Sequence, residues 1–327
     1  MDSCNVKYDI VIGLQHGDEG KGKVVNSLIK ENGYTHCVRF NGGPNAGHTI
    51  IEDGEKIITH QIPTGILHGV KSIIGPNCVL HVKTFLEEAQ ELYRNKVDIT
   101  LLKVAYNTHI IDDDYVKEDI KTDKIGSTGR GIMPAYRNKH GRTGKRAEDI
   151  PVLKEYLIDT IEELNQDDNY ILFEGAQGFY LDIDWGDYPY VTSSSTMAGS
   201  VSTCGVSPRF VNKIYGVAKI YETYVGTKKF QPKFEVFNEL RELGEEYGAT
   251  TGRSRQCNWL DIGKLKRSIK ANGITDLIIN KCDILQRLGI FKCINPELDF
   301  YSINTIIYYL SDKLNVPVKF SFSPDKI

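Results

Sequence analysis

Short apolar runs alternate with amphipathic stretches along most of the chain. Tyr8-Asp9-Ile10-Val11-Ile12-Gly13 predicts a buried strand. A glycine-rich turn follows, and the apolar-periodic stretch from Val24 to Ile29 predicts a helix. Cys37-Val38-Arg39-Phe40 predicts a second strand, ending in the turn Asn41-Gly42-Gly43-Pro44. Ile73 to Val82 reads as strand pieces around a Gly-Pro-Asn turn, and Val82 to Tyr93 as a helix. Residues 112–126 are polar and charged, the signature of a surface segment. Pro151 opens a predicted helix in which Val152, Leu153, Tyr156, Leu157, Ile161 and Leu164 share one face. Tyr170 to Phe173, Ile214 to Ile220 and Leu277 to Ile279 predict further strands. Strands alternating with helices predict an α/β fold with a mainly parallel central sheet flanked by helices. With no repeat, low-complexity tract or linker, residues 1–327 read as one domain.

Composition narrows the function. Forty basic residues against 43 acidic ones leave a net charge of −3. Bulk charge therefore gives no grip on nucleic acid or a membrane, although a local basic pocket for a small anion remains open. No apolar run is long enough to span a bilayer, and Met1-Asp2-Ser3-Cys4-Asn5 lacks the start of a signal peptide. The expectation is a cytoplasmic protein with neither nucleic-acid nor membrane partners. Seven scattered cysteines, never spaced CxxC, predict reduced thiols rather than a disulfide framework or a zinc site.

The chemistry-bearing segment runs from Gly13 to Lys23, between the first strand and the first helix. Glycines there let backbone N–H groups approach an anion, and the helix N-terminus adds its dipole. Gly17 to Lys23 spells GxxxxGK, but Val24 stands where a Walker A loop needs Ser or Thr for Mg²⁺. Gly20-Lys21-Gly22 begins GxGxxG, but Val25 stands at the third glycine. The loop is neither a standard P-loop nor a Rossmann fingerprint. It also holds an acid, Asp18, which an anion site tolerates only to hold a metal or move a proton. Further along, His48 sits in the Gly/Asn-rich stretch Asn45-Ala46-Gly47-His48-Thr49, where a histidine has no packing role. His60, His81 and His109 lie in or beside apolar segments and read as structural. Asp112-Asp113-Asp114 reads as a solvated turn rather than a metal site.

Gly13-x-Gln15-x-Gly17-Asp18-Glu19-Gly20-Lys21-Gly22-Lys23 followed by Asn45 to Thr49 resembles the adenylosuccinate synthetase family. Further matching blocks follow in order: Ile62 to Ile66, Gly126 to Tyr136, Phe173 to Gly178, Leu181 to Asp184, Tyr188 to Ser194, Gly248 to Arg253, and Trp259-Leu260-Asp261. The length is similar to the short branch found in archaea and in phages that place 2,6-diaminopurine in their DNA. The resemblance implies a P-loop-NTPase-like α/β fold and a GTP-dependent ligase. Such an enzyme phosphorylates the 6-oxygen of a purine nucleotide and displaces the phosphate with the amine of L-aspartate. It also implies Mg²⁺, small-molecule substrates and a homodimer, in the host cytoplasm if the chain is phage-encoded.

Carried over residue by residue, the resemblance gives Asp18 as the base and an Mg²⁺ ligand, with the Gly47 carbonyl as a second ligand. His48 is the acid, Lys21 a phosphate clamp, and Gln177 the amide at the purine edge. Asn45, Thr128, Arg142 and Thr192 join Gln177 in holding the acceptor nucleotide, Arg142 from across a dimer interface. Thr250, Thr251, Arg253 and Arg255 form the aspartate loop, where guanidinium forks suit a dicarboxylate. The family usually has arginine where Ser254 stands, so that position is not carried over. GTP contacts are Gly17, Glu19, Gly20, Lys21, Gly22, Lys23, Gly47 and Thr49, then Lys281, Asp283, Ser321, Ser323 and Pro324. Asn280-Lys281-Cys282-Asp283 spells NKxD where the family has TKxD, and its carboxylate suits the N1–H and 2-amino donors of guanine.

Two alternatives stay open at the level of residues. A regulatory GTPase would use NKxD and the DxxG of Asp123 to Gly126, but lacks the Walker Ser/Thr. A plain nucleotide-binding module leaves Asp18, His48 and the paired arginines without a purpose. Within the ligase reading the acceptor is IMP or dGMP. The family's AGPFPTE segment, which lies beside the nucleotide sugar, is replaced here by Thr227 to Lys233 while the catalytic blocks are kept. That pattern favours dGMP.

Overall fold

The computed structural model describes residues 6–52, 55–248 and 252–327, with side chains described outside 51–56. Nine strands build the main sheet: β1 (Lys7–Gly13), β2 (His36–Arg39), β3 (Lys71–Ile74), β4 (Leu102–Ala105), β5 (Leu157–Ile158), β6 (Tyr170–Glu174), β7 (Val211–Lys219), β8 (Asp276–Asn280) and β9 (Val318–Phe320). Their spatial order is β9-β8-β7-β1-β6-β2-β3-β4-β5, and every pairing is parallel. An all-parallel sheet is covered on both faces, which is why β1 is buried from Tyr8 to Gly13 and reads as an apolar run broken only by Asp9 rather than an alternating one. Tyr8, Ile10 and Ile12 enter the largest core cluster, while Val11 packs on the other face with Val24, Val25 and Leu28. Those three valine and leucine residues belong to helix α1 (Lys21–Glu31).

The predicted strands and the first two helices form where expected, the second being α2 (Val82–Arg94). The polar stretch 112–126 lies at the surface as read, but Asp113–Thr122 folds as helix α3. Helix α4 spans Ile132–Gly141.

One expectation fails. The helix predicted from Pro151 to Leu164 is a 3₁₀ turn (Pro151–Tyr156), strand β5, and the short helix α5 (Thr160–Leu164). The edge of the sheet wins over the helical pattern: Leu157 and Ile158 pair with Val104 and Ala105. Asp159 then restarts the helix by accepting the N–H of Ile161 at 2.9 Å. Leu153 and Leu164 are buried, but Val152 and Ile161 face solvent, so the apolar set has no common face.

Beyond the main sheet, helices α6 (Val236–Gly244), α7 (Ile262–Asn272), α8 (Cys282–Leu288) and α9 (Ile303–Lys313) pack around a four-stranded sheet. Cys37, Cys78, Cys204, Cys257, Cys282 and Cys293 are free, buried thiols; Cys4 lies outside the described residues. Among the described residues no helix is long and apolar enough to cross a membrane. Every strand of a parallel sheet ends on the same side. The carboxyl ends of β1, β2, β6 and β8 therefore deliver Gly13, Arg39, Glu174 and Asn280 to one rim.

Candidate active site

The loop from β1 to α1 is held open from within. The Glu19 carboxylate is fully buried and accepts the backbone N–H groups of Gln15 at 3.1 Å and Gly17 at 2.9 Å. A side chain at Gly13 or Gly178 would collide with that carboxylate, which explains both glycines. Gln15 fastens the loop to the end of β7: its amide donates to the Lys219 and Tyr221 carbonyls and accepts from the Lys219 N–H. Gly20 caps α1 at φ 89°, and no side chain caps the first turn. The N–H groups of that turn are left without a side-chain cap, the arrangement a helix N-terminus offers to an anion. Asn280 reaches over from β8, donating to the Glu19 carbonyl at 2.7 Å. A Cβ at Gly20 would stand 2.9 Å from that Asn280 nitrogen. Gly17 and Gly20 take positive φ of 85° and 89°, and at Gly20 and Gly22 a side chain would press on Asn280 and His48.

Two expected phosphate contacts are placed differently. The Glu19 side chain faces the protein interior. Lys21 Nζ is bound to Glu19 at 2.6 Å and to the Gln177 carbonyl. Asp18, by contrast, is partly exposed, with φ 60°, and pairs with Arg255 Nε at 2.8 Å.

The second loop brings His48 against this one; a Cβ at Gly22 would lie 2.9 Å from His48 Cβ. Thr49 continues the hairpin strand, and Gly47 precedes it. His48 Nδ1 contacts Glu174 Oε1 and lies 2.8 Å from Arg39 Nη1. Glu174, fully buried, also accepts from Arg39 at 2.8 Å, the Thr64 N–H at 2.8 Å and the Thr64 hydroxyl at 3.0 Å. Burial, helped by the Arg39 charge, pushes His48 down to about 4, so the ring is neutral near pH 7. Burial alone would raise Glu174, but His48 and Arg39 outweigh it and hold the carboxyl at about 2.

This has a stability consequence. A carboxyl depressed on folding stabilises above its unfolded value of 4.5 and loses that contribution as pH falls toward 2. Each depressed buried carboxyl contributes about 3 kcal/mol. Stability against urea should therefore fall steeply between pH 4.5 and 2.5. Glu174→Gln, less stable at pH 7, should show a shallower slope there; an equal slope would refute the assignment.

Gln177 follows β6 by two small residues, at φ 57°. Both its amide atoms are buried without a hydrogen-bond partner. Buried polar groups are almost always satisfied, so this amide keeps its full hydrogen-bonding capacity for a partner outside the protein chain. Asn45 Oδ1 accepts the Gly43 N–H, shaping the turn before His48. Thr128 lies in the loop between α3 and α4, ordered by Asp123, which accepts the N–H groups of Ile125 and Ser127. Thr192 lies on a loop tied to Leu181 through its own N–H. Arg142 is exposed at the end of α4, at φ 61°.

The paired arginines converge with these loops. Arg253 Nη1 donates to the Gly126 carbonyl at 2.9 Å, beside Thr128. Arg255 bridges Asp18 and Glu246, its Nη1 2.6 Å from the Glu246 carboxylate. Glu246 also faces buried Lys219 at 3.2 Å and the Tyr221 hydroxyl at 2.6 Å. Burial would raise Glu246, but Lys219 and Arg255 hold it at about 2. Thr250 and Thr251 lie outside the described residues.

On the other side of α1, Lys23 Nζ donates to Ser321 Oγ at 2.7 Å and to the Ser323 carbonyl at 2.9 Å. Desolvation lowers Lys23 to about 8 against the opposing charge of nearby Asp283. Lys281 caps α8 at φ 66° and donates to the Gly244 carbonyl. Asp283 stands in the first turn of that helix, and Pro324 follows the Ser321–Ser323 turn.

Sequence reasoning selected His48 without its partners Arg39 and Glu174, and Arg255 without Glu246 and Lys219. The available signal was charge inside buried strands: Arg39 and Lys219 interrupt otherwise apolar runs. His60 and His81 are partnered structural histidines, whereas His109 Nδ1 is buried without a hydrogen-bond partner. Asp112 to Asp114 open α3 and pair with Lys145 and Lys117. Among the described residues no group of three His, Cys, Asp or Glu side chains could hold a metal. A single carboxylate with a backbone carbonyl is the donor set that suits Mg²⁺ shared with phosphates, since Mg²⁺ keeps few protein ligands.

Fold and loops together define an α/β nucleotide enzyme whose anion loop carries its own acid and whose rim gathers histidine, amide and guanidinium groups. The family profile described as "Adenylosuccinate synthetase" matches residues 10–157 and 151–295. An adenylosuccinate synthetase of Thermodesulfovibrio yellowstonii is 41% identical over 337 residues, covering 86% of this chain and 79% of that protein. One from Fusobacterium nucleatum is 36% identical over 346 residues, covering 89% and 81%. The fully ligated adenylosuccinate synthetase of Plasmodium falciparum superposes with a TM-score of 0.85 at 28% identity, covering 98% of both chains. A cyanophage S-2L succinoaminodeoxyadenylate synthetase, bound to dGMP and to dATP as energy donor, shares the fold: TM-score 0.77, 21% identity, 98% and 93% coverage. The chain belongs to the adenylosuccinate synthetase family, and is a GTP-dependent carbon–nitrogen ligase.

Proposed function

We propose that this ligase joins L-aspartate to C6 of a purine nucleoside monophosphate, with dGMP the preferred acceptor. The buried amide of Gln177, without a protein hydrogen-bond partner and on a residue packed against Gly17 of the first loop and Gly42, carries the assignment of the reacting end. In this reading Gln177 fixes the purine edge and Asp18 removes the N1 proton. The 6-oxygen then attacks the γ-phosphorus of GTP, forming the O–P bond as the bond to the β-phosphate oxygen breaks. His48, oriented through Nδ1 by Glu174, donates to the phosphoryl group from its other nitrogen. The anion's arrival raises the imidazole's proton affinity, offsetting the effect of burial. The aspartate amine, its carboxylates held by Arg253 and Arg255, attacks C6 and expels phosphate. Asp18 and the Gly47 carbonyl would hold Mg²⁺, which when bound neutralises charge between phosphates. For that, Arg255 must give up its present pairing with Asp18.

The preference for dGMP rests on Thr227 to Lys233, which differs from the family's segment while the catalytic loops are kept. IMP is the second reading, supported by relatives named adenylosuccinate synthetase at 36–41% identity. Phosphate release with GTP and aspartate, compared for IMP, GMP and dGMP, decides. The highest kcat/KM is expected with dGMP; a higher value with IMP overturns the preference.

The active unit is proposed to be a homodimer in which Arg142 serves the neighbouring site. Isologous symmetry makes each subunit lend the same arginine. An inactive Arg142→Leu protein mixed with an inactive Asp18→Asn protein should then regain activity, because one hybrid site holds both native residues. Absence of recovery in hybrids verified by mass would place Arg142 outside the partner's site.

A further inference from the structure

Residues 226–231 leave the strand Tyr221–Tyr224 and cross the rim between two parts of the site. At one end the Thr227 N–H donates to the Ile125 carbonyl at 3.1 Å, beside the loop that carries Thr128. Gln256 holds the middle with a single amide: its oxygen accepts the N–H groups of Phe230 and Gln231, and its nitrogen donates to the Gly226 and Lys228 carbonyls. At the other end Phe230 packs edge-on against His16, ring centroids 4.9 Å apart. His16 lies two residues before Asp18.

The His16 ring is fully buried, stacked on Tyr180 at 5.4 Å and edge-on to Tyr224 at 5.7 Å. Its Nε2 is 3.0 Å from Asp187 Oδ2, and Glu222 stands 3.4 Å from Nδ1. The same Asp187 oxygen binds the Lys228 ammonium closely and Lys264 at 3.1 Å. Lys228 also lies over the rings of Tyr224 and Phe230, at 5.5 and 5.7 Å. One carboxylate thus ties together the anion loop, the loop leading to Thr192, and the segment after Gly226. None of these three side chains has a role in the chemistry set out above.

We propose that Lys228, Asp187 and His16 form a latch that positions residues 226–231 against the acceptor's sugar and sets the enzyme's discrimination at its 2′ position. The inference rests on the proposed function, which puts the acceptor's base at Asp18 and Gln177, and on the family likeness, by which Thr128 is a ligand of the acceptor's phosphate. The sugar must then lie between those points, and residues 226–231 run between them. Lys228, Asp187 and His16 are positioning residues: they act through the backbone they hold.

The test measures kcat and KM for dGMP and GMP, and KM for GTP, in the native enzyme and in Lys228→Met, Lys228→Arg and the isosteric Asp187→Asn. Lys228→Met should raise acceptor KM and move the ratio of dGMP to GMP kcat/KM by about tenfold, with GTP KM unchanged. Asp187→Asn should move it the same way, and Lys228→Arg, which keeps the charge and the donors, should restore the native ratio. An unchanged ratio, or a fall in kcat alone with both substrates, overturns the latch. A native enzyme that turns over no 6-oxopurine nucleotide overturns the proposed function, and the latch with it. Turnover with an immovable ratio overturns the latch alone.

Discussion

Asp18→Asn is expected to lower aspartate-dependent phosphate release by about a hundredfold or more, the range lost when a positioned proton acceptor is removed. The substitution is isosteric and leaves the loop intact. Asp18 sits at φ 60°, a conformation asparagine tolerates better than most residues. The forces shaping the loop do not pass through it: Glu19 accepts the Gln15 and Gly17 N–H groups, and Gln15 fastens the loop to Lys219 and Tyr221. Arg255 loses one anionic partner but keeps Glu246 at 2.6 Å. An amide cannot take the purine's N1 proton, so kcat should collapse while the thermal midpoint stays close to native. His48→Ala should lose turnover on a comparable scale through loss of the donor to the phosphoryl group, with the fold kept because Glu174 remains satisfied by Arg39 and Thr64. Near-native turnover in either variant would remove that residue from the mechanism.

How much of this was legible in the sequence depends on whether the signal was local. Strands β1, β6, β7 and β8 are apolar runs bounded by turn residues, and periodicity found them. The Pro151 helix failed because Leu157 and Ile158 answer to an unpaired sheet edge that no window around them reveals. The site divides similarly. Asp18 and His48 stood out as charged or titratable groups in glycine-rich loops, and family likeness gave them roles. Glu174 and Glu246 were hidden because their partners lie far away in sequence: Arg39 pairs across 135 residues, and Lys219 across 27. His16 carried no motif at all; its meaning comes from Asp187, 171 residues further on.

Asp283→Asn is expected to cut kcat/KM for GTP by about a hundredfold while leaving acceptor KM near native. Charge-assisted hydrogen bonds to a nucleobase are worth about 1.5–3 kcal/mol each, and a site built for them rejects a mismatched partner strongly. Local geometry supports the separation of effects. Asp283 lies in the first turn of α8, entered through Lys281 at φ 66°, while the link to the anion loop runs through Asn280 and the Glu19 carbonyl. The substitution therefore leaves the phosphate-binding loop anchored. A carboxylate accepts from both N1–H and the 2-amino group of guanine; an asparagine turns a donor toward one of them. Xanthine carries an oxygen in place of that amino group and pairs with the amide. The variant should consequently use xanthosine triphosphate better than the native enzyme does. A variant that keeps its GTP preference, or a native enzyme served equally by ATP, would show that the base is read elsewhere.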